Sequence, residues 1–140
     1  METLYTAEAL ATGGGRNGHV RTTDGILDFD VRVPKEMGGA GEAPNPELLF
    51  AAGYAACFHS ALQSVARAQK VSIEGSSVGS RVGIGPNGQG GFQLAVELEV
   101  NIPDVDLAVA QQLADAAHQV CPYSNATRGN IEVNVTVVDD

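Results

Sequence analysis

Strands, a long helix, more strands, a second helix and a last strand follow one another in this 140-residue chain, which predicts an α+β fold with mostly antiparallel sheet. Three observations carry that reading. Apolar residues alternate with polar ones along two stretches, the period of half-buried strands. Between them runs a segment of more than twenty residues with helix-start chemistry, a stripe of apolar side chains and nothing to break it but Gly53. Near the end, a helical pattern gives way to alternating valines.

In the first third, Leu27, Phe29, Val31 and Val33 alternate with Asp28, Asp30 and Arg32. Residues 4–12 and 20–23 read as weaker strands, separated by Gly13-Gly14-Gly15-Arg16-Asn17-Gly18, and Asp24-Gly25 suits a hairpin turn. The glycine run lacks the Lys-Ser/Thr ending of a phosphate loop, so it implies only flexibility. Residues 34–44 form a Gly-rich connection. The long helix is expected from Pro46 to about Gln69: Asn45 caps it, Pro46 suits its first position, and Glu47 suits the positive end of its dipole. Phe50, Tyr54, Cys57, Phe58, Ala61, Leu62 and Val65 form its buried stripe.

Residues 78–84 read as the next strand, and Pro86-Asn87-Gly88 with Gly90-Gly91 as its turn. Phe92, Leu94, Val96, Leu98 and Val100 then alternate along a longer one. Asp104 or Asp106 can cap a helix to about Val120, with Leu107, Ala110, Leu113, Ala114 and Ala117 on one face. Pro122 ends that helix or begins a new turn, and Ile131, Val133, Val135 and Val137 mark the closing strand. No repeat or linker interrupts this order, so residues 1–140 are expected to form a single domain. The long helix is apolar nearly all round, with small residues at 51, 52, 53, 55 and 56. Such a helix is wrapped by sheet or packed on another helix, and an intertwined homodimer is the expected assembly.

A composition 44 % hydrophobic needs no staple to fold at this length. A net charge of −9 with no cluster of Lys or Arg disfavours nucleic acid and anionic membranes. No apolar run approaches the ~20 residues of a membrane span, and the first residues lack the features of a secretory signal. The expected location is cytoplasmic, where a dithiol is normally reduced and its disulfides are transient.

Chemistry then centres on the only two cysteines, Cys57 and Cys121. Four readings stand open: buried core thiols, a static disulfide worth roughly 4 kcal/mol in loop entropy, a redox pair, or a metal site with His59 and His118. Helix geometry argues against the metal, because residues 57 and 59 lie about 200° apart around a helix axis. A nucleophilic Cys57 needs a group that favours its thiolate. Arg67 on the same helix lies ~15 Å away, too far to help. Arg16 in the Gly-rich loop and Arg128 are the remaining candidates. Glu47 could hold a guanidinium, but it too is ten helical residues from Cys57. A functional Glu47 therefore implies a site assembled between two subunits with antiparallel helices.

Two long segments carry a resemblance. Residues 45–58 (Asn-Pro-Glu-Leu-Leu-Phe-Ala-Ala-Gly-Tyr-Ala-Ala-Cys-Phe) and 116–127 (Ala-Ala-His-Gln-Val-Cys-Pro-Tyr-Ser-Asn-Ala-Thr) resemble the organic hydroperoxide resistance proteins. These belong to the wider family of osmotically inducible protein C (OsmC) peroxidases. The resemblance implies an OsmC-like intertwined homodimer with thiol peroxidase activity. By motif, Cys57 matches the peroxidatic cysteine, Cys121 the resolving one, Arg16 the arginine that stabilises the thiolate, and Glu47 the glutamate that orients it. Three glycines precede Arg16 where the family pattern has two. The implied cycle forms a Cys57 sulfenic acid, traps it as a Cys57–Cys121 disulfide and restores both thiols with an external dithiol, a lipoylated protein or dihydrolipoamide. No metal, haem or flavin is expected. Phe50, Tyr54 and Phe58 are expected to bind the substrate and to favour alkyl and fatty-acid hydroperoxides. The alternatives are the sister OsmC branch, with broader use of hydrogen peroxide, and a non-catalytic domain with a structural disulfide.

Overall fold

A computed structural model describes residues 1–139. The chain is α+β and clusters into two compact units, Met1–Leu49 and the remainder from Phe50. The boundary falls inside one continuous helix, with no linker.

The first unit is a three-stranded antiparallel sheet of β1 (Ala9–Thr12), β2 (His19–Thr22) and β3 (Asp28–Asp30). Its strands are shorter than the alternation predicts. Leu27 belongs to the turn closed by Thr22 N–H on Leu27 O, and Arg32 N–H leaves the ladder for Pro44 O. The turn at Asp24-Gly25 forms as expected, with Gly25 at φ +74°. The Gly-rich loop is an ordered tight turn. Asn17 and Gly18 donate to Gly14 O and Gly15 O, and a Cβ at Gly18 would lie 2.2 Å from Thr12 O.

The long helix α1 runs from Pro46 to Ala68. Its first turn is set by Asn45, whose side-chain oxygen accepts the Leu48 N–H at 2.8 Å. By length and hydropathy α1 could cross a membrane, contrary to the expectation that no run is apolar enough. Its many Ala residues raise the average, while Tyr54, Phe58, Ala61, Leu62 and Ala66 are core residues of a globular unit.

That unit has a second sheet, ordered β4 (Ser77–Pro86), β5 (Phe92–Asn101) and β6 (Val133–Val138). The β4–β5 hairpin is antiparallel, from Ser77 opposite Asn101 to Pro86 opposite Phe92. Its turn is tied by Asn87, whose side-chain oxygen accepts from Gln89 and Gly91. β6 pairs with β5 in parallel, from Val96 opposite Val133. This mixed sheet follows from connectivity, because the helices α2 (Leu107–Val120) and α3 (Pro122–Thr127) form the crossover that parallel neighbours require.

Asp106 is the cap of α2, accepting from Ala108 N–H at 2.9 Å, whereas Asp104 occupies a left-handed turn at φ +62°. Val96, Leu98 and Val100 face one cluster with Tyr54, Phe58, Leu62, Leu113, Ala114 and Ala117. In this unit two positions expected on buried faces are exposed: Leu107 at the first turn of α2 and Phe92 at the hairpin end. Each sits at an element end.

Candidate active site

The second unit brings its two thiols together. Cys57 lies on α1, and Cys121 lies between α2 and α3. Their sulfur atoms are 3.4 Å apart and both are free. Pro122 explains the second position. A proline cannot continue α2, and it drives the residue before it into extended backbone. Cys121 accordingly has φ −63° and ψ 124°, and Pro122 starts α3. The Cys121 backbone is fixed on both sides, its N–H donating to Ala117 O and its carbonyl accepting from Asn125 N–H.

The thiols differ in access. Cys121 is fully buried, whereas Cys57 is half-buried and lines a cavity of about 340 Å³ with Ser60, Ser64, Val120 and Pro122. Burial pushes the Cys57 thiol above its usual pKa. The Tyr123 backbone N–H, aimed at its sulfur, acts in the opposite direction, and the adjacent Cys121 adds to the rise. Gly53, one helical turn before Cys57, makes room for Tyr123: a Cβ there would lie 2.9 Å from the Tyr123 hydroxyl. That close approach accounts for the single glycine in the helix.

Of the three expected substrate-binding residues, Tyr54 and Phe58 are fully buried core side chains. Phe50 is half-buried and shares with Tyr123, Phe92, Leu94 and Ile131 the wall of a cavity of about 690 Å³. The rings of Phe50, Tyr54 and Tyr123 pack edge-on or tilted, with centroids 5.6 to 6.0 Å apart.

A buried chain of hydroxyls lies beside the thiols, and three of its four residues, His118, Ser124 and Thr127, were not among those expected at the site. The Tyr54 hydroxyl is 2.8 Å from Ser124 Oγ and 3.1 Å from Thr127 Oγ1, and Ser124 Oγ is 2.8 Å from His118 Nδ1. Counting protons orients the chain. Thr127 donates to the Ser124 carbonyl, so Tyr54 donates to Thr127, Ser124 to Tyr54, and His118 Nδ1–H to Ser124. This makes His118 the Nδ1–H tautomer. Burial, with Arg128 nearby, lowers its pKa, which favours the neutral ring. A clue lay in the 116–127 segment, where Ser124 and Thr127 are spaced i, i+3 on a short helix.

In the first unit, Arg16 and Glu47 form a bidentate ion pair. Arg16 Nη1 and Nη2 donate to the two Glu47 carboxylate oxygens at 2.8 and 2.7 Å. The pair raises the arginine pKa and lowers that of the glutamate, the shared hydrogen bonds being the larger cause for both. Arg16 sits in the 3₁₀ turn Gly15–Asn17, whose first residue has φ +66°, and Glu47 in the first turn of α1. Arg128, the other candidate cation, donates instead to the His118 carbonyl and to Asn125.

Comparison with known proteins places this geometry. The family profile of OsmC-like proteins matches residues 39–136. An organic hydroperoxide resistance protein of Xanthomonas axonopodis pv. citri is 54 % identical over 136 residues, covering 96 % of this chain and 94 % of that protein. The chain belongs to the organic hydroperoxide resistance branch of the OsmC-like family. Within the branch, protein OhrB of Bacillus subtilis is 46 % identical over 132 residues, with 94 % and 96 % of the two chains covered. The crystal structure of an organic hydroperoxide resistance protein from Elizabethkingia anophelis, with thiocyanate bound, superposes at a TM-score of 0.94 and 57 % identity over 100 % of both chains.

Proposed function

We propose that this protein is a cysteine-based peroxidase that reduces organic hydroperoxides to alcohols. The observation that carries the reading is the approach of two free thiols to 3.4 Å, one facing a cavity and the other sealed behind it. The names of its relatives support the substrate class.

In the proposed cycle, the Cys57 thiolate attacks the outer oxygen of the hydroperoxide. The O–O bond breaks, the alkoxide leaves as the alcohol after taking a proton, and Cys57 becomes a sulfenic acid. The Cys121 thiolate then attacks the Cys57 sulfur, forming the disulfide and releasing the oxygen as water. An external dithiol, assigned here as dihydrolipoamide or a lipoylated protein, reduces the disulfide by two exchanges and is itself oxidised. No metal, haem or flavin takes part. Since burial and the adjacent Cys121 raise the Cys57 pKa, the first step needs a cation. Arg16, held by Glu47, is the cation this reading assigns.

A homodimer is part of the proposal. The outer face of α1 shows solvent a run of small residues, Ala52, Ala56 and Ser60, which suits close packing against a second copy of the helix. The apolar walls around Phe50 and Tyr123 favour alkyl and fatty-acyl groups. The cell compartment assigned is the cytoplasm, where dithiol reductants are maintained.

The test is steady-state turnover with cumene hydroperoxide and with hydrogen peroxide, at saturating dihydrolipoamide. Faster reduction of the organic substrate, lost entirely in Cys57→Ser, is expected. Equal rates with the two peroxides would overturn the preference for organic substrates, and an active Cys57→Ser would end the cysteine mechanism.

A further inference from the structure

The cycle above needs Cys121 to capture the sulfenic acid before a second peroxide does, and the core holds a device placed for that step. Tyr54 stands three residues before Cys57 on α1, and Ser124 stands three residues after Cys121 at the start of α3. Their hydroxyls meet at 2.8 Å, so the two backbone segments that carry the thiols are tied one helical turn from each sulfur. Thr127 and His118 complete the tie, from the end of α3 and from the last turn of α2. Tyr54 and Ser124 are fully exposed to neither solvent nor cavity, having no accessible surface. Among the described residues the four polar groups satisfy one another, so loss of one oxygen leaves a buried donor or acceptor unpaired.

Resting on the peroxidase reading, we infer that the Tyr54–Ser124–Thr127–His118 chain is the positioning element for the resolving step. Its hydrogen bonds run between its own members and go to neither sulfur. Its effect is to hold α3 and the Cys121 turn against α1, so that the Cys121 thiolate is in line when Cys57 becomes electrophilic. The covalent step is unchanged: an S–S bond forms, the S–O bond of the sulfenic acid breaks, and the oxygen leaves as water. Holding reacting atoms within about 3.5 Å is worth orders of magnitude in rate, and a loosened partner forfeits part of it.

The experiment separates the two chemical steps in the full-length protein. Tyr54→Phe removes one oxygen and keeps the ring. Rapid-mixing kinetics give the rate of Cys57 oxidation, and intact mass spectrometry after acid quenching gives the division between disulfide and sulfinic acid as cumene hydroperoxide is raised. Disulfide formation is expected to slow about tenfold, the equivalent of ~1.4 kcal/mol, while the rate of Cys57 oxidation stays within about twofold. Overoxidation then sets in at proportionately lower peroxide. Ser124→Ala, which leaves Tyr54 its bond to Thr127, is held to the same criteria if Tyr54→Phe does not fold. A merely structural role would lower the melting temperature without changing the division between the two steps, or slow both together; either result, or disulfide formation at the wild-type rate, would overturn the inference. Wild-type protein that forms no disulfide at all would instead overturn the peroxidase reading beneath it.

Discussion

Replacing Glu47 by Gln isolates the charge of the Arg16–Glu47 pair. Gln keeps one acceptor for the guanidinium and turns an N–H₂ toward the other nitrogen, so one of the two charge-assisted bonds is lost. Such a bond contributes roughly 1.5–3 kcal/mol when well buried. Here the Glu47 side chain is 13 % exposed and that of Arg16 40 %, so water screens and replaces part of it. The carboxylate also complements the N-terminal dipole of α1, about 0.3–1 kcal/mol more. Together these give a loss of about 1.5 kcal/mol. For 140 residues the unfolding entropy is roughly 0.3 kcal/mol per kelvin, so Tm should fall by about 5 °C at pH 7 and fixed protein concentration.

The pH dependence carries a sign. Folding lowers the Glu47 pKa, so its stabilisation is complete above the ordinary carboxylate value of about 4.3 and is lost as pH falls through the lower folded value. The gap between wild type and variant in thermal melts should be full at pH 7 and narrow steadily below about pH 4. No gap at pH 7, or a gap of equal size on both sides, would refute the reasoning.

Three other variants probe separate parts of the account. Arg16→Ala should raise the Cys57 pKa and slow thiol alkylation at neutral pH, whereas an unchanged alkylation profile against pH removes Arg16 from the site. Cys121→Ser should be oxidised once and then accumulate mass gains of two or three oxygens on Cys57, with no catalytic turnover; sustained turnover would show that Cys121 is dispensable. Asn45→Ala deletes a buried cap at 8 % exposure and should cost about 1 kcal/mol, or roughly 3 °C in Tm. A melt superposing on wild type would show that the cap is idle.

Where the chain's local chemistry decides an element, the sequence could be read directly. The Asn45-Pro46-Glu47 start of α1, the Asp24-Gly25 turn, the β4–β5 hairpin and the break at Pro122 all follow from side chains acting on their own backbone. What depends on partners distant in sequence was hidden. The parallel pairing of β6 is a matter of which sheet edge the chain returns to, and the valine alternation is the same for either direction.

The site divides in the same way. Cys57 and Cys121 stood out by scarcity and by the segments around them. Tyr54 and Phe58 had the right periodicity for burial, but periodicity does not say whether an aromatic faces a substrate or fills the core. The bond from Tyr54 to Ser124 joins residues 70 positions apart, and no spacing rule reaches that far. Gly53 looked like a flaw in a helix until the Tyr123 ring was seen against it.

The most direct measurement is mass spectrometry of the protein after one equivalent of an organic hydroperoxide, with proteolysis under non-reducing conditions. The account predicts a loss of two hydrogens and one cross-linked peptide pair joining Cys57 to Cys121 within a single chain. Stable oxidation of Cys57 beside an untouched Cys121, or no reaction at either thiol, would contradict it.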